Sequence, residues 1–111
     1  MTMNKRTIIA MLVVVTALPV LAQAADLNAG AAKAKEVCAA CHGLDGNSPQ
    51  PDYPKLGGQY ADFLAKALRD YKSGARRNPI MQGFAAALSR EDIDDLAAFY
   101  ASQPSTLVTR R

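Results

Sequence analysis

The residues able to do chemistry are few and sit together: Cys38-Ala39-Ala40-Cys41-His42 contains the chain's only two cysteines and its only histidine. At the end of a helix, a spacing of three places both sulfurs on one side. There they can form thioethers with the two vinyl groups along one edge of a haem, and the histidine that follows lies beneath the ring. Its neutral imidazole can ligate the iron through one nitrogen while the other donates to an acceptor that orients the ring. Other chemistries use the same residue types. A redox dithiol of the thioredoxin kind expects a strand-helix-strand setting. A structural zinc site needs four protein ligands, and beyond Cys38, Cys41 and His42 only a carboxylate could complete the set. A disulfide between Cys38 and Cys41 closes so short a loop that it removes little entropy from the unfolded chain. The expectation is one covalently attached haem c, with Cys38 and Cys41 as its thioether residues and His42 on its iron.

Helices have to position this motif, because strand-forming composition is nearly absent. From Ala25 onward the only Val and Ile residues are Val37, Ile80, Ile93 and Val108, and Ala is abundant. Asn28 or Asp26 can cap a first helix that runs through Ala29–Val37 into Cys38. A loop rich in Gly, Asp, Asn and Pro follows from Gly43 to Gly58. Tyr60, Phe63, Leu64, Ala67, Leu68 and Tyr71 form a one-faced helical stripe that Gly74 can end, and these residues suit a core and pocket wall. Ala75 to Gly83 reads as a second loop, with a short helix allowed through Phe84–Ala87. Ser89 and Asp92 offer a capping box for a last helix carrying Ile93, Leu96, Ala97 and Tyr100, which Pro104 closes. The predicted fold is all-α, with three main helices and one short one, and a loose tail after about residue 104. Three amphipathic helices with two long loops make an awkward core from protein alone, so something is expected to sit between the loops.

The N-terminal stretch reads as an export address. Lys5 and Arg6 precede an apolar run from Thr7 to Leu21, and Ala22-Gln23-Ala24 is a small-x-small cleavage site. As a helix that run reaches only about 22 Å, against a hydrocarbon core of about 30 Å. Residues 1–24 are therefore expected to be a cleaved secretory signal and 25–111 the mature domain, with no stable membrane insertion afterwards. Without Lys5 and Arg6, 11 of the 13 basic residues remain against 10 acidic ones, so the formal charge drops from +3 to +1. That near balance gives no basis for nucleic-acid binding, which needs a concentrated excess of Lys and Arg. A domain of this size buries only about 60–65% of its unfolded surface, which favours a cofactor as a staple.

From Asn28 to Gln103 the chain resembles the class I cytochromes c, particularly the small bacterial forms found as single or tandem periplasmic domains. The pieces that carry the resemblance are Gly30, Cys38-Ala39-Ala40-Cys41-His42-Gly43, Pro54 to Gln59, Asn78-Pro79-Ile80-Met81, Leu88-Ser89 and Asp95 to Tyr100. It implies a cytochrome c-like fold around one haem, with a methionine before the last helix as second axial ligand. Met81 matches that position and is the only methionine beyond the leader. It further implies that the backbone carbonyl of Pro54 accepts the second ring proton of His42, and that Gly30 is where the first and last helices cross, against Phe99. Arg76 and Arg77 are candidates to balance haem propionates.

With both axial positions filled by protein, the iron exchanges electrons and binds no substrate. The expected function is a non-enzymatic single-electron carrier in the periplasm of a Gram-negative bacterium, meeting membrane or soluble redox enzymes in transient contacts. Two rivals stay open on the sequence alone: a haem-based ligand sensor or peroxidase-like protein with a labile Met81, and a thiol-disulfide oxidoreductase using Cys38 and Cys41.

Overall fold

The computed structural model describes residues 13–19 and 23–107. Most of the expected leader and residues 108–111 lie outside them, and residues 13–19 are exposed without regular structure. The described residues from Leu27 to Ala101 are helical with no strand: α1 Leu27–Lys33, a wider π-type turn Ala34–Cys38, α2 Ala39–His42, α3 Ala61–Ser73, α4 Pro79–Ala86 and α5 Arg90–Ala101.

Helix α1 starts where Asp26 accepts the backbone N–H groups of Asn28 and Ala29 at 2.9 and 3.1 Å, so of the two candidate caps it is Asp26 that acts. The rod runs on through Cys38 to His42 and ends at Gly43, whose φ is +87° and where the sequence pattern begins the long loop. Its wide turn sets the phase of the rod. Four residues overshoot a full turn by about 40° in an α-helix and fall short by roughly 30° in a π-turn, which has about 4.4 residues per turn. The step from Gly30 to Ala34 and the step from Ala34 to Cys38 therefore nearly cancel, and all three positions stay in line. Gly30 and Ala34 are buried, and Cys38 packs against the core.

Helix α5 is the central element, packed on α1 and on α3, with α4 lying against α3. The core joins Ala34 of the rod, Leu64 and Ala65 of α3, and Leu88, Ile93, Leu96, Ala97 and Tyr100 at and along α5. At the crossing, Gly30 has no room for a side chain: a Cβ there would lie 2.2 Å from the Asp95 carbonyl oxygen and 2.8 Å from Phe99 Cβ. The buried Asp95 carboxylate fastens the same crossing by accepting the Asp26 N–H at 2.7 Å. Ser89 and Asp92 form the expected capping box, Ser89 Oγ taking the Asp92 N–H at 3.0 Å and Asp92 Oδ2 the Ser89 N–H at 2.9 Å.

The long loop before α3 is tied back on itself and to the chain end. The Gly46 carbonyl accepts the N–H groups of Leu56 and Gly57 at 2.6 and 3.1 Å. Asn47 donates to the Pro104 carbonyl at 2.7 Å and accepts the Thr106 N–H at 3.1 Å, while Lys55 donates to Thr106 Oγ1 at 2.6 Å. The segment from Pro104 to Thr106 is thus bonded to the loop, where composition alone suggested a loose tail.

Two stability effects follow. Gly30→Ala forces α1 and α5 apart; the overpacking costs about 1–3 kcal/mol, and the thermal midpoint should fall by about 4–8 °C per kcal/mol. The N–H of Ser89, ahead of its hydroxyl and Lys33, holds the Asp92 carboxyl below the usual carboxylate range, against a smaller opposing effect of burial. Its contribution is therefore complete above about pH 4 and is lost as pH falls through the lower folded-state value. Thermal unfolding should show Asp92→Asn less stable than the parent at neutral pH, with the gap closing in acid.

Candidate functional site

A mostly apolar cavity of about 430 Å³ opens between the rod, the long loop, α3, α4 and α5. Cys38, Cys41, His42, Pro54 and Met81 all line it. The fold thus brings these five residues to one cavity, although they span more than forty positions of the chain.

The rod delivers the first three. Cys38 and Cys41 stand one helical turn apart, both half-buried and both free thiols. Burial pushes the Cys38 thiol above its ordinary value, and nearby Cys41 adds to this, while the adjacent Tyr100 hydroxyl works the other way. His42 is buried, 7% exposed, and its Nδ1 lies 2.8 Å from the Pro54 carbonyl oxygen. A carbonyl only accepts, so Nδ1 carries the proton and donates, leaving the Nε2 lone pair free to bind a metal. The Tyr53 ring meets the imidazole edge-on at 6.5 Å between centroids and further limits its rotation.

Met81 corrects the sequence expectation. It does not sit in a loop; it occupies the first turn of α4, which begins at Pro79 and not near Phe84. Asn78 caps that helix by accepting the N–H groups of Ile80 and Met81, each at 3.1 Å, and Pro79 stands at the first helical position, where its missing N–H costs nothing. The Asn-Pro pair carries this signal within a stretch whose composition otherwise reads as loop. The half-buried thioether is therefore presented from a capped helix.

The wall is completed by Phe63, Leu64, Ala67, Leu68 and Tyr71 from the α3 stripe, and by Leu56, Ile80, Phe84 and Leu96. Tyr60 departs from the stripe: it precedes α3 and is 78% exposed, outside the cavity lining. Arg76 reaches the cavity with its guanidinium 4.9 Å from the Tyr71 ring centroid, whereas Arg77 is exposed and away from it. Tyr100, from the helical stripe of α5, belongs to the core and also forms cavity wall. Burial raises its hydroxyl's proton affinity above the ordinary value, and neighbouring Cys38 adds to this. The periodicity that placed Tyr100 on the inward face of α5 does not separate core from cavity lining. Among the described residues no group of three or more His, Cys, Asp or Glu side chains could hold a bare metal ion.

Comparison with protein families matches residues 27–103 to "Cytochrome c". Over 80 residues the chain is 51% identical to cytochrome c4 of Pseudomonas aeruginosa, an alignment covering 72% of this chain and 39% of that protein. It is 44% identical over 90 residues to a thiosulfate dehydrogenase electron acceptor of Stutzerimonas stutzeri, covering 76% of this chain and 42% of the relative. The crystal structure of reduced recombinant cytochrome c4 from Pseudomonas stutzeri superposes with a TM-score of 0.68 at 43% identity, covering 73% of this chain and 47% of that one. The chain thus spans less than half the length of these relatives.

Asn78→Ala should remove both bonds at the start of α4 and cost about 1 kcal/mol. The expected result is a lower thermal midpoint together with faster amide exchange at Ile80 and Met81; unchanged exchange there would show that the cap does not hold Met81 in place.

Proposed function

The chain belongs to the cytochrome c family, and on that premise we propose that it carries single electrons on one haem c held by Cys38 and Cys41, with His42 and Met81 as the axial ligands. Covalent haem c is the cofactor of this family, and when bound it supplies a one-electron couple. The observation that carries the assignment is convergence. Two thiols one helical turn apart, an imidazole with its Nδ1 proton committed to Pro54, and a thioether on a capped helix face the same apolar cavity.

Each residue has a distinct task. Cys38 and Cys41 anchor the group through their sulfurs. Pro54 fixes the tautomer and orientation of His42, so that Nε2 remains the metal-binding atom. A methionine thioether favours reduced iron, and the apolar wall from Phe63, Leu64, Leu68 and Phe84 keeps water away and works in the same direction. A moderately positive reduction potential follows. Burial raises the Cys38 thiol, the opposite of what a thiol-disulfide oxidoreductase requires of its nucleophile. The Asn78 cap restrains Met81, which favours permanent ligation over the labile methionine of a ligand sensor or peroxidase-like protein.

We place residues 25–111 in the periplasm of a Gram-negative cell after removal of residues 1–24, with membrane or soluble redox enzymes as transient donor and acceptor. Among the described residues no helix is long and apolar enough to cross a membrane. A relative that serves as electron acceptor of thiosulfate dehydrogenase is one instance of such a partnership.

The deciding experiment is the intact mass of the exported protein, expected to equal residues 25–111 plus one haem. Apoprotein mass, or two titratable thiols without haem stain after denaturing electrophoresis, overturns the proposal. The ferric parent should show the long-wavelength sulfur-to-iron band and bind carbon monoxide poorly once reduced, whereas Met81→Ala should lose the band and bind carbon monoxide readily. Ready binding by the parent would favour the sensor.

A further inference from the structure

Tyr100 stands where the core of α5 meets the cavity, and its side chain is 3% exposed. The ring is confined. Phe99 lies against it at 5.2 Å between centroids, and Gly46 approaches so closely that a Cβ there would lie 2.7 Å from Tyr100 Cδ1. The backbone around it is also held, since the Tyr100 carbonyl accepts the Gly58 N–H at 3.0 Å. The hydroxyl therefore has no easy route to solvent. Its oxygen is the one buried side-chain nitrogen or oxygen without a hydrogen-bond partner among the described residues, a condition that folded interiors rarely leave uncompensated.

Cys38 packs against the same core cluster and shares the cavity wall with Tyr100. As a thiol, Cys38 is itself a weak donor, so the pair has two protons and no strong acceptor. Haem attachment changes that balance. The S–H adds across a vinyl C=C: a sulfur–carbon bond forms, the hydrogen passes to the other vinyl carbon, and no net electron is gained or lost. The sulfur then keeps its lone pairs and has no proton, which leaves the phenol as the only donor.

We propose that in the mature protein the Tyr100 hydroxyl donates a hydrogen bond to the Cys38 thioether sulfur and thereby raises the reduction potential of the haem. The inference rests on the attachment of haem at Cys38 proposed above. The positive end of the O–H dipole, aimed at an atom bonded to the porphyrin edge in a water-poor wall, stabilises the form that has gained an electron. Tyr100 acts through Cys38 and is a positioning residue, not an iron ligand.

The test uses the haem-loaded protein and its Tyr100→Phe variant, which keeps the ring and deletes only the hydroxyl. Intact mass and haem stain on both come first; a parent without haem defeats the functional assignment and this inference together, and is distinguished by that measurement. With haem present in both, the variant should have the lower midpoint potential, its reduction equilibrium shifted about two- to threefold, as suits a weak hydrogen bond. An unchanged or higher potential overturns the proposal, because a merely structural role for Tyr100 would alter stability without lowering the potential. A second measurement does not depend on the variant folding. In the reduced, diamagnetic parent the phenol proton should exchange slowly and show nuclear Overhauser contact with the Cys38 β-protons. Contact with a different acceptor, or rapid exchange, overturns it equally.

Discussion

A chain this short has little apolar surface to divide, and this one divides it between a packed core and the wall of a cavity. That constraint organises the rest of the structure. Among the described residues the large apolar side chains buried in the core are few, Leu64, Leu88, Ile93, Leu96 and Tyr100. Much of the remaining apolar surface, including Phe63, Leu68, Tyr71, Ile80, Met81 and Phe84, is turned toward a cavity of about 430 Å³. Apolar surface contributes to stability when it leaves water, so these residues stabilise the domain fully only against a large apolar partner. Haem c meets that need, and its covalent attachment makes the partner permanent. Cofactor binding and core formation are in this sense one event.

The cavity can exist because the protein-only part of the core is drawn very tight. At the crossing of α1 and α5 the backbone at Gly30 approaches the Asp95 carbonyl to within the space a single methyl would need. The Asp95 side chain then fastens the Asp26 N–H beside it. From this crossing the π-type turn carries Cys38 along the same line, and α2 completes the turn that brings Cys41 and His42 to the cavity. A site at one end of the rod is thus positioned by packing at the other, which links a glycine remote from the chemistry to the orientation of two thiols and an imidazole.

The opposite wall is held differently. Met81 relies on local chemistry, the Asn78 carboxamide oxygen and Pro79 at the start of α4, and on the packing of α4 against α3. Pro54 relies on a loop pinned by Asn47 and Lys55 to the residues after α5. Three separately stabilised segments therefore meet around one cavity. Such an arrangement keeps the donor atoms oriented without requiring them to be close in the chain.

Much could be read along the chain without folding it. The Cys38-Ala39-Ala40-Cys41-His42 motif depends on spacing within one helical turn, and the stripes of α3 and α5, the Ser89–Asp92 box and the stop at Gly74 depend on contacts within a few residues. Local rules reach that far because the interacting groups are neighbours in sequence. At the start of α4 the local signal was present but weak, the Asn78 cap and Pro79 within a stretch that otherwise reads as loop, whereas the exposed Tyr60 and the tied segment after Pro104 depend on contacts across the fold. The 2.8 Å contact between His42 and Pro54, the division of Tyr100 between core and cavity wall, and its buried hydroxyl beside Cys38 were decided only in three dimensions. A residue's period can say that it points inward; only the arrangement of the other helices decides whether it meets packed side chains or the site.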